Sequence, residues 1–141
     1  MVRFTWAVGK RVQVIGDDFL VTSAGRIRAA ARDGACNAVL IKPNQAGTLT
    51  ETRAALDAAR KAGFGAIVSA RSGETEDVSI VHLAVGGGVE QLKVGSITRG
   101  ERTAKWNEGL RIADAIAALA GEGGRRAGPR PPPGTVPRRN Q

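Results

Sequence analysis

The stretch NAVLIKPNQ, residues 37–45, decides the fold, because it joins a short apolar run to a charged residue and a proline. The run from Asn37 to Ile41 is typical of a buried strand. Lys42 follows directly, and Pro43 disfavours helical backbone angles at that lysine and ends the strand. The stretch therefore predicts a buried strand that carries a lysine at its carboxyl end.

Strand-like and helix-like segments alternate on both sides of this stretch. The predicted strands are Arg11–Gly16, Asn37–Ile41, Gly65–Ser69 and Glu90–Lys93. The predicted helices run from a cap at Thr22 or Ser23 to Asp33, and over residues 50–63, 76–84 and 99–120. Four such βα units predict right-handed crossovers, a parallel sheet and an α/β fold. On this pattern alone, the sheet is either a doubly wound layer or part of a barrel.

Polar residues gather where the predicted strands end. Asp17 and Asp18 follow the first strand, Lys42 the second, Arg71 and Ser72 the third, and Lys93 ends the fourth. Ligands of parallel α/β folds bind at this edge. Aspartates bind hard cations such as Mg²⁺, an arginine with a serine suits a phosphate, and a lysine can act as a base. The pattern predicts a site for a phosphorylated carboxylic acid, with metal-stabilised enolate chemistry.

The net charge of +8 is divided evenly between the body and the end of the chain. Residues 1–120 carry +4, and residues 121–141 carry the other +4. The charge of the body therefore does not favour nucleic acid as a partner. The single cysteine, Cys36, excludes an internal disulfide, and no apolar run is long enough for a membrane span. We expect a cytoplasmic protein with no membrane partner.

Composition changes sharply after residue 120. Residues 121–141 contain five of the six prolines and almost no apolar residue that could be buried. This composition predicts a body of residues 1–120 followed by a disordered, basic tail rich in Pro, Arg and Gly. The tail is either an inert extension or a docking segment for an acidic partner.

Four motifs carry a resemblance to a known family. They are QVIGDDFLVT at 13–22, ACNAVLIKPNQAGTLTET at 35–52, SARSGETED at 69–77 and QLKVGSITRGERTAKWNEGLRI at 91–112. In this order, and with no gap needed, they resemble the enolase (phosphopyruvate hydratase) family. The resemblance covers about residues 11–118. It implies the C-terminal half of an enolase-type TIM barrel, with four βα units around a parallel sheet.

The resemblance also implies a role for each strand-end residue. Asp17 matches a Mg²⁺ ligand of the family, and Lys42 matches the lysine that removes the proton from carbon 2 of 2-phosphoglycerate. Arg71 and Ser72 match the pair that holds the substrate phosphate. Lys93 matches the lysine that binds the substrate carboxylate beside the metals. The expected cofactor is Mg²⁺, and the expected ligand is a phosphorylated three-carbon acid.

Departures from the family pattern cluster around the expected substrate. Ala70 stands where the family usually has histidine, and Pro43 stands where it commonly has an apolar residue such as valine. These changes leave open a second activity beside ordinary glycolytic enolase, that of carboxyphosphonoenolpyruvate synthase in phosphinothricin-type antibiotic biosynthesis. A non-catalytic remnant or binding module is a third interpretation.

The resemblance implies that several domains and catalytic residues of the family have no counterpart in this sequence. The N-terminal domain, the first half of the barrel, the glutamate that acts as general acid and two of three metal-ligand carboxylates have no counterpart here. We therefore expect the isolated chain to be inactive. We also expect the half-barrel to associate with a second copy or with a complementary half. Whether the chain is a fragment or a natural half-barrel protein stays open at this point.

Overall fold

The computed structural model describes residues 1–126, which form helices and strands in alternation. In chain order these are α1 (Val2–Val8), β1 (Ile15–Gly16), α2 (Ala24–Asp33), β2 (Ala38–Ile41), α3 (Pro43–Ala46), α4 (Leu49–Lys61), β3 (Gly65–Ser69), α5 (Ser79–Gly86), β4 (Gln91–Lys93) and α6 (Gly100–Arg126). The alternation confirms the predicted α/β class.

The four strands form one parallel sheet in the order β1-β2-β3-β4. In a doubly wound sheet the strand order reverses partway across, whereas strands of a barrel follow one another around the sheet. The consecutive order therefore resolves the choice between the two architectures in favour of a barrel segment. Within residues 1–126, β1 and β4 are the edge strands of this sheet.

The predicted helix signals act as expected. Ser23 precedes α2, and its hydroxyl accepts a hydrogen bond from the Arg26 N–H, while Gly34 ends the helix with a left-handed φ of 64°. Thr48 precedes α4 and accepts from the Glu51 N–H in the same way. These local bonds explain why the helices begin and end close to their predicted positions.

Two short helices, one shortened strand and the start of α5 differ from the predictions, and α5 begins at Ser79 instead of residue 76. Helices α1 and α3 were not predicted, and β1 covers two residues instead of the six expected from Arg11 to Gly16. The N–H groups of Arg11 and Val12 both donate to the carbonyl of Val8, so they close a turn after α1. Because these donors are already used, the start of the expected strand cannot join the sheet.

Apolar side chains on one side of the sheet form the main core. Val39, Ile41 and Val68 are almost fully buried, as are Ile27 of α2 and Ala59 of α4. Helix α4 contacts β2, β3 and α2, and α5 contacts β3 and β4. These contacts fix the positions of the strands in the sheet, and so the positions of the polar residues that follow the strands.

The described residues divide into two compact units, residues 1–108 and a second that begins at residue 109. The first unit holds the sheet, α1–α5 and the start of α6, and the described part of the second continues α6 to Arg126. Helix α6 thus includes the first six residues of the predicted tail, and the remainder of that prediction lies outside the described residues. No helix in residues 1–126 is both long and apolar enough to cross a membrane.

Candidate active site

Asp17 and Lys42 meet at the carboxyl ends of β1 and β2. The Lys42 ammonium donates a 2.5 Å hydrogen bond to Asp17 Oδ1 and lies 3.9 Å from Asp18 Oδ1. Lys42 is only 6% exposed, and its backbone is extended, with φ −117° and ψ 102°, before Pro43. This geometry confirms the expected effect of the proline on the lysine. A lysine this buried is held in one place by its carboxylate partner.

Lys93 lies on the same side of the sheet as Asp17. The two residues line an open trough of about 650 Å³, whose floor includes Leu40 and Ile67. Lys93 is exposed and is paired in register with Ser69 of β3. The trough therefore combines an apolar floor with one acidic and one basic group, which suits a small anionic ligand.

Arg71 and Ser72 lie in the loop after β3, and both are exposed. The Arg71 N–H donates a 2.7 Å hydrogen bond to Glu74 Oε1. The Ala70 N–H donates to the carbonyl of Lys93 at 2.9 Å, which ties the end of β3 to the end of β4. The structure thus places the two loop residues at the sheet edge that also carries Lys93.

Thr22 is a buried polar residue behind Lys42 that the sequence did not single out as functional. Its hydroxyl accepts a 2.9 Å hydrogen bond from the Lys42 N–H and donates a 3.0 Å bond to Gln45 Oε1. Thr22 is 2% exposed and has a positive φ of 54°, which is uncommon for a β-branched residue. Such backbone strain persists only where surrounding contacts enforce it. The contacts of Thr22 therefore fix the backbone at the end of β2.

Replacing Thr22 by valine should lower the free energy of unfolding by about 1–3 kcal/mol, because the buried Lys42 N–H loses its acceptor while side-chain volume hardly changes. Urea denaturation of the purified chain measures this difference. Thr22→Ser retains the hydroxyl and is the matched control, with a smaller loss expected. Equal stability of the valine variant and the unaltered chain would contradict the role given to the hydroxyl.

Asp77 and Glu74, two acidic residues of the third motif, make contacts within the loop and at the start of α5. Asp77 Oδ1 accepts a 2.8 Å hydrogen bond from the Ser79 N–H at the first residue of α5. This bond, and a further one with the Ser79 hydroxyl, lower the pKa of Asp77 below its ordinary value of 3.8. Asp77 therefore stabilises the beginning of the helix.

The lowered pKa of Asp77 predicts a pH dependence of stability. A carboxyl group whose pKa is lower in the folded state stabilises the fold above its unfolded-state pKa, and this contribution is lost as the pH falls through the folded-state pKa. Urea denaturation over a pH series should therefore show that the unaltered chain has a higher free energy of unfolding than Asp77→Asn, by a constant amount near neutral pH. This difference in free energy should shrink once the pH falls below 3.8. A difference that stays the same throughout acidification would refute this origin of the shift.

The described part of the chain does not contain a complete set of oxygen ligands for a divalent cation. The carboxylate of Asp17 has the oxygen chemistry that Mg²⁺ prefers. However, residues 1–126 contain no group of three His, Cys, Asp or Glu side chains placed to hold a metal ion. A complete Mg²⁺ site would therefore need oxygen ligands beyond the carboxylates that the described residues bring together.

Comparisons with known proteins identify the family. Residues 1–129 match the family model described as enolase, C-terminal TIM barrel domain. Enolase 1 of Desulfitobacterium hafniense (strain Y51) is 53% identical over 116 residues, which make up 82% of this chain and 26% of that protein. The chain therefore spans about a quarter of the length of this curated relative. By its sequence, its parallel sheet and the order of its strands, the chain belongs to the enolase family, as the C-terminal half of the TIM barrel.

Proposed function

We propose that this chain is the part of an enolase-type lyase that binds and deprotonates 2-phosphoglycerate. One observation carries the proposal: Lys42, almost excluded from water, directly follows β2 and holds its ammonium against the carboxylate of Asp17. Lys42 would be the base, and Asp17 would be a Mg²⁺ ligand. Arg71 and Ser72 would hold the phosphate, and Lys93 the carboxylate.

The chemistry assigns a separate task to each residue. Lys42, as the base, takes the proton from carbon 2, and the electron pair moves into the carboxylate to form an enolate. The Lys93 ammonium opposes the added negative charge. The hydroxyl group on carbon 3 then leaves with a proton from the family's glutamate, which lies outside this sequence, and phosphoenolpyruvate and water result. Mg²⁺, when bound, would stabilise the enolate oxygens.

A chimera tests this proposal, because the chain spans 26% of its relative. The aligned 116 residues of Desulfitobacterium hafniense Enolase 1 are replaced by the matching residues of this chain. We expect Mg²⁺-dependent conversion of 2-phosphoglycerate to phosphoenolpyruvate, followed by ³¹P NMR. A chimera that folds and binds Mg²⁺ but shows no turnover would contradict the proposal and favour a non-catalytic remnant or binding module.

A second activity is favoured by Ala70. This residue stands next to Arg71, and its side chain offers no hydrogen bond where the family usually has a histidine beside the substrate phosphate. The alternative function is carboxyphosphonoenolpyruvate synthase, which uses phosphoenolpyruvate and a phosphonate. If Ala70 is an adaptation to the second activity, Ala70→His in the chimera should increase the rate of 2-phosphoglycerate dehydration. An unchanged or lower rate would favour ordinary enolase activity, which belongs to glycolysis in the cytoplasm.

The proposed activity requires groups from outside this chain. Because β1 and β4 are the edges of the described sheet, a second copy or a complementary half-barrel could pair with them through unused backbone groups. We propose that catalysis needs groups beyond residues 1–141, since these residues contain no counterpart of the family's general acid.

A further inference from the structure

Lys105 of α6 is a lysine with no exposure to solvent, and the proposed chemistry does not use it. Its relative exposure is 0%, so its ammonium is excluded from water. The ammonium donates to the carbonyl of Thr75 at 2.7 Å and to the carbonyl of Glu101 at 2.9 Å, and it lies 3.7 Å from Glu74 Oε2. Two of the three ammonium donors therefore have backbone acceptors, and the Glu74 carboxylate lies at ion-pair distance.

Glu74 links this buried cation to the loop after β3. One oxygen of its carboxylate faces Lys105, while the other accepts the 2.7 Å hydrogen bond from the Arg71 N–H. Thr75, whose carbonyl also binds Lys105, belongs to the same loop. Two separate contacts therefore connect α6 to the segment that carries Arg71 and Ser72.

Packing alone does not account for a lysine at this position. Transferring an ammonium out of water is costly, and an apolar residue of similar volume, such as methionine, would fill the space without that cost. The residues that separate β3 from α5 form neither helix nor strand, so their arrangement depends on contacts of this kind. The conformation of this loop therefore depends on its contacts with the buried Lys105 ammonium.

We propose that Lys105 is a positioning residue that holds residues 71–75 in the conformation that presents Arg71 and Ser72 to the substrate phosphate. The effect on phosphate binding rests on the proposed function, whereas the effect on the loop does not. The physical advantage is preorganisation, because an ordered loop loses less conformational entropy when the ligand binds.

Amide hydrogen exchange of the full chain, measured by NMR, tests the effect on the loop. In Lys105→Met, exchange of the Arg71 amide should become faster by about tenfold or more, because the acceptor of that amide loses its charged partner. The amides of Val39 and Leu40 in β2 should change much less. Lys61→Met, at an exposed lysine, is the matched control and should leave Arg71 exchange unchanged. Unchanged exchange at Arg71 in Lys105→Met, or an equal increase at every amide, would overturn the proposal.

Glu74→Gln provides a second variant in case Lys105→Met does not fold. Glutamine retains an acceptor for the Arg71 N–H but removes the negative charge that faces Lys105. Exchange at Arg71 should become faster than in the unaltered chain, with the β2 amides again little changed. Exchange at the original rate would count against the proposal.

Phosphoenolpyruvate titration, followed through the Arg71 and Ser72 amide signals, tests the effect on binding. Relative to the unaltered chain, Lys105→Met should bind about tenfold more weakly, which corresponds to about 1.4 kcal/mol. Lys61→Met should bind normally. Equal affinity of Lys105→Met and the unaltered chain would overturn the proposal. If the unaltered chain does not bind phosphoenolpyruvate, residues 1–141 do not bind the phosphate by themselves, and the exchange experiment alone decides the role of Lys105.

Discussion

Replacing Lys42 by methionine in the chimera with Enolase 1 should lower kcat by about 10²–10⁴-fold, the usual contribution of a general base. Methionine has a similar length and volume but cannot accept a proton. The variant should also lose exchange of the carbon 2 hydrogen of 2-phosphoglycerate with solvent, which reports proton removal directly. Steady-state kinetics and NMR of the substrate in deuterated water measure the two effects.

The fold should survive this replacement, so the loss can be assigned to chemistry. The Asp17 side chain is 35% exposed, and water can therefore solvate its carboxylate once the lysine is gone. Lys61→Met, at an exposed position of α4, is the matched control and should leave kcat unchanged. A Lys42→Met chimera that still exchanges the carbon 2 hydrogen at the original rate would disprove the assignment of the base.

Replacing Ile27 by alanine should lower the free energy of unfolding of the chain by about 2–5 kcal/mol. Ile27 is fully buried on the face of α2, and removing three carbon atoms there leaves a cavity in the closely packed core. Because the stability of a small domain is only about 5–15 kcal/mol, this single change removes a large share of it. Urea denaturation followed by circular dichroism measures the loss.

Leu49→Ala is the matched control for this prediction. Leu49 is 65% exposed at the start of α4, so its truncation should change stability by no more than about 0.5 kcal/mol. If Ile27→Ala and Leu49→Ala were equally stable, the core described for Ile27 on the packed face of α2 would be wrong.

Much of the fold could be predicted from local patterns. The apolar runs before Lys42 and Arg71 predicted β2 and β3 closely, and Ser23 and Gly34 marked the ends of α2. These signals work because burial and capping act over a few neighbouring residues. Helix α1 and the true start of β1 could not be predicted in this way. Their positions depend on Asn37, whose side chain binds the Gly9 carbonyl and the Val14 N–H across the fold.

The candidate site was predicted in its composition but not in its contacts. Asp17, Lys42 and Lys93 were expected at the strand ends because parallel strands bring those ends to one edge. The hydrogen bond from the Lys42 N–H to Thr22 and the burial of Lys105 carried no local signal. A threonine after a turn and a lysine in a helix are ordinary residues in a sequence, and their roles depend on partners 20 and 30 residues away.

The sequence by itself determined the family, the alternation of strands and helices, and the set of charged residues at the strand ends. These properties follow from patterns within short segments. Only the tertiary structure decided that the Lys42 ammonium contacts Asp17, and that the fully buried Lys105 contacts Glu74 and Thr75 in the loop of Arg71. The reason is physical: burial and the pairing of charges depend on which distant segments the closely packed core brings together.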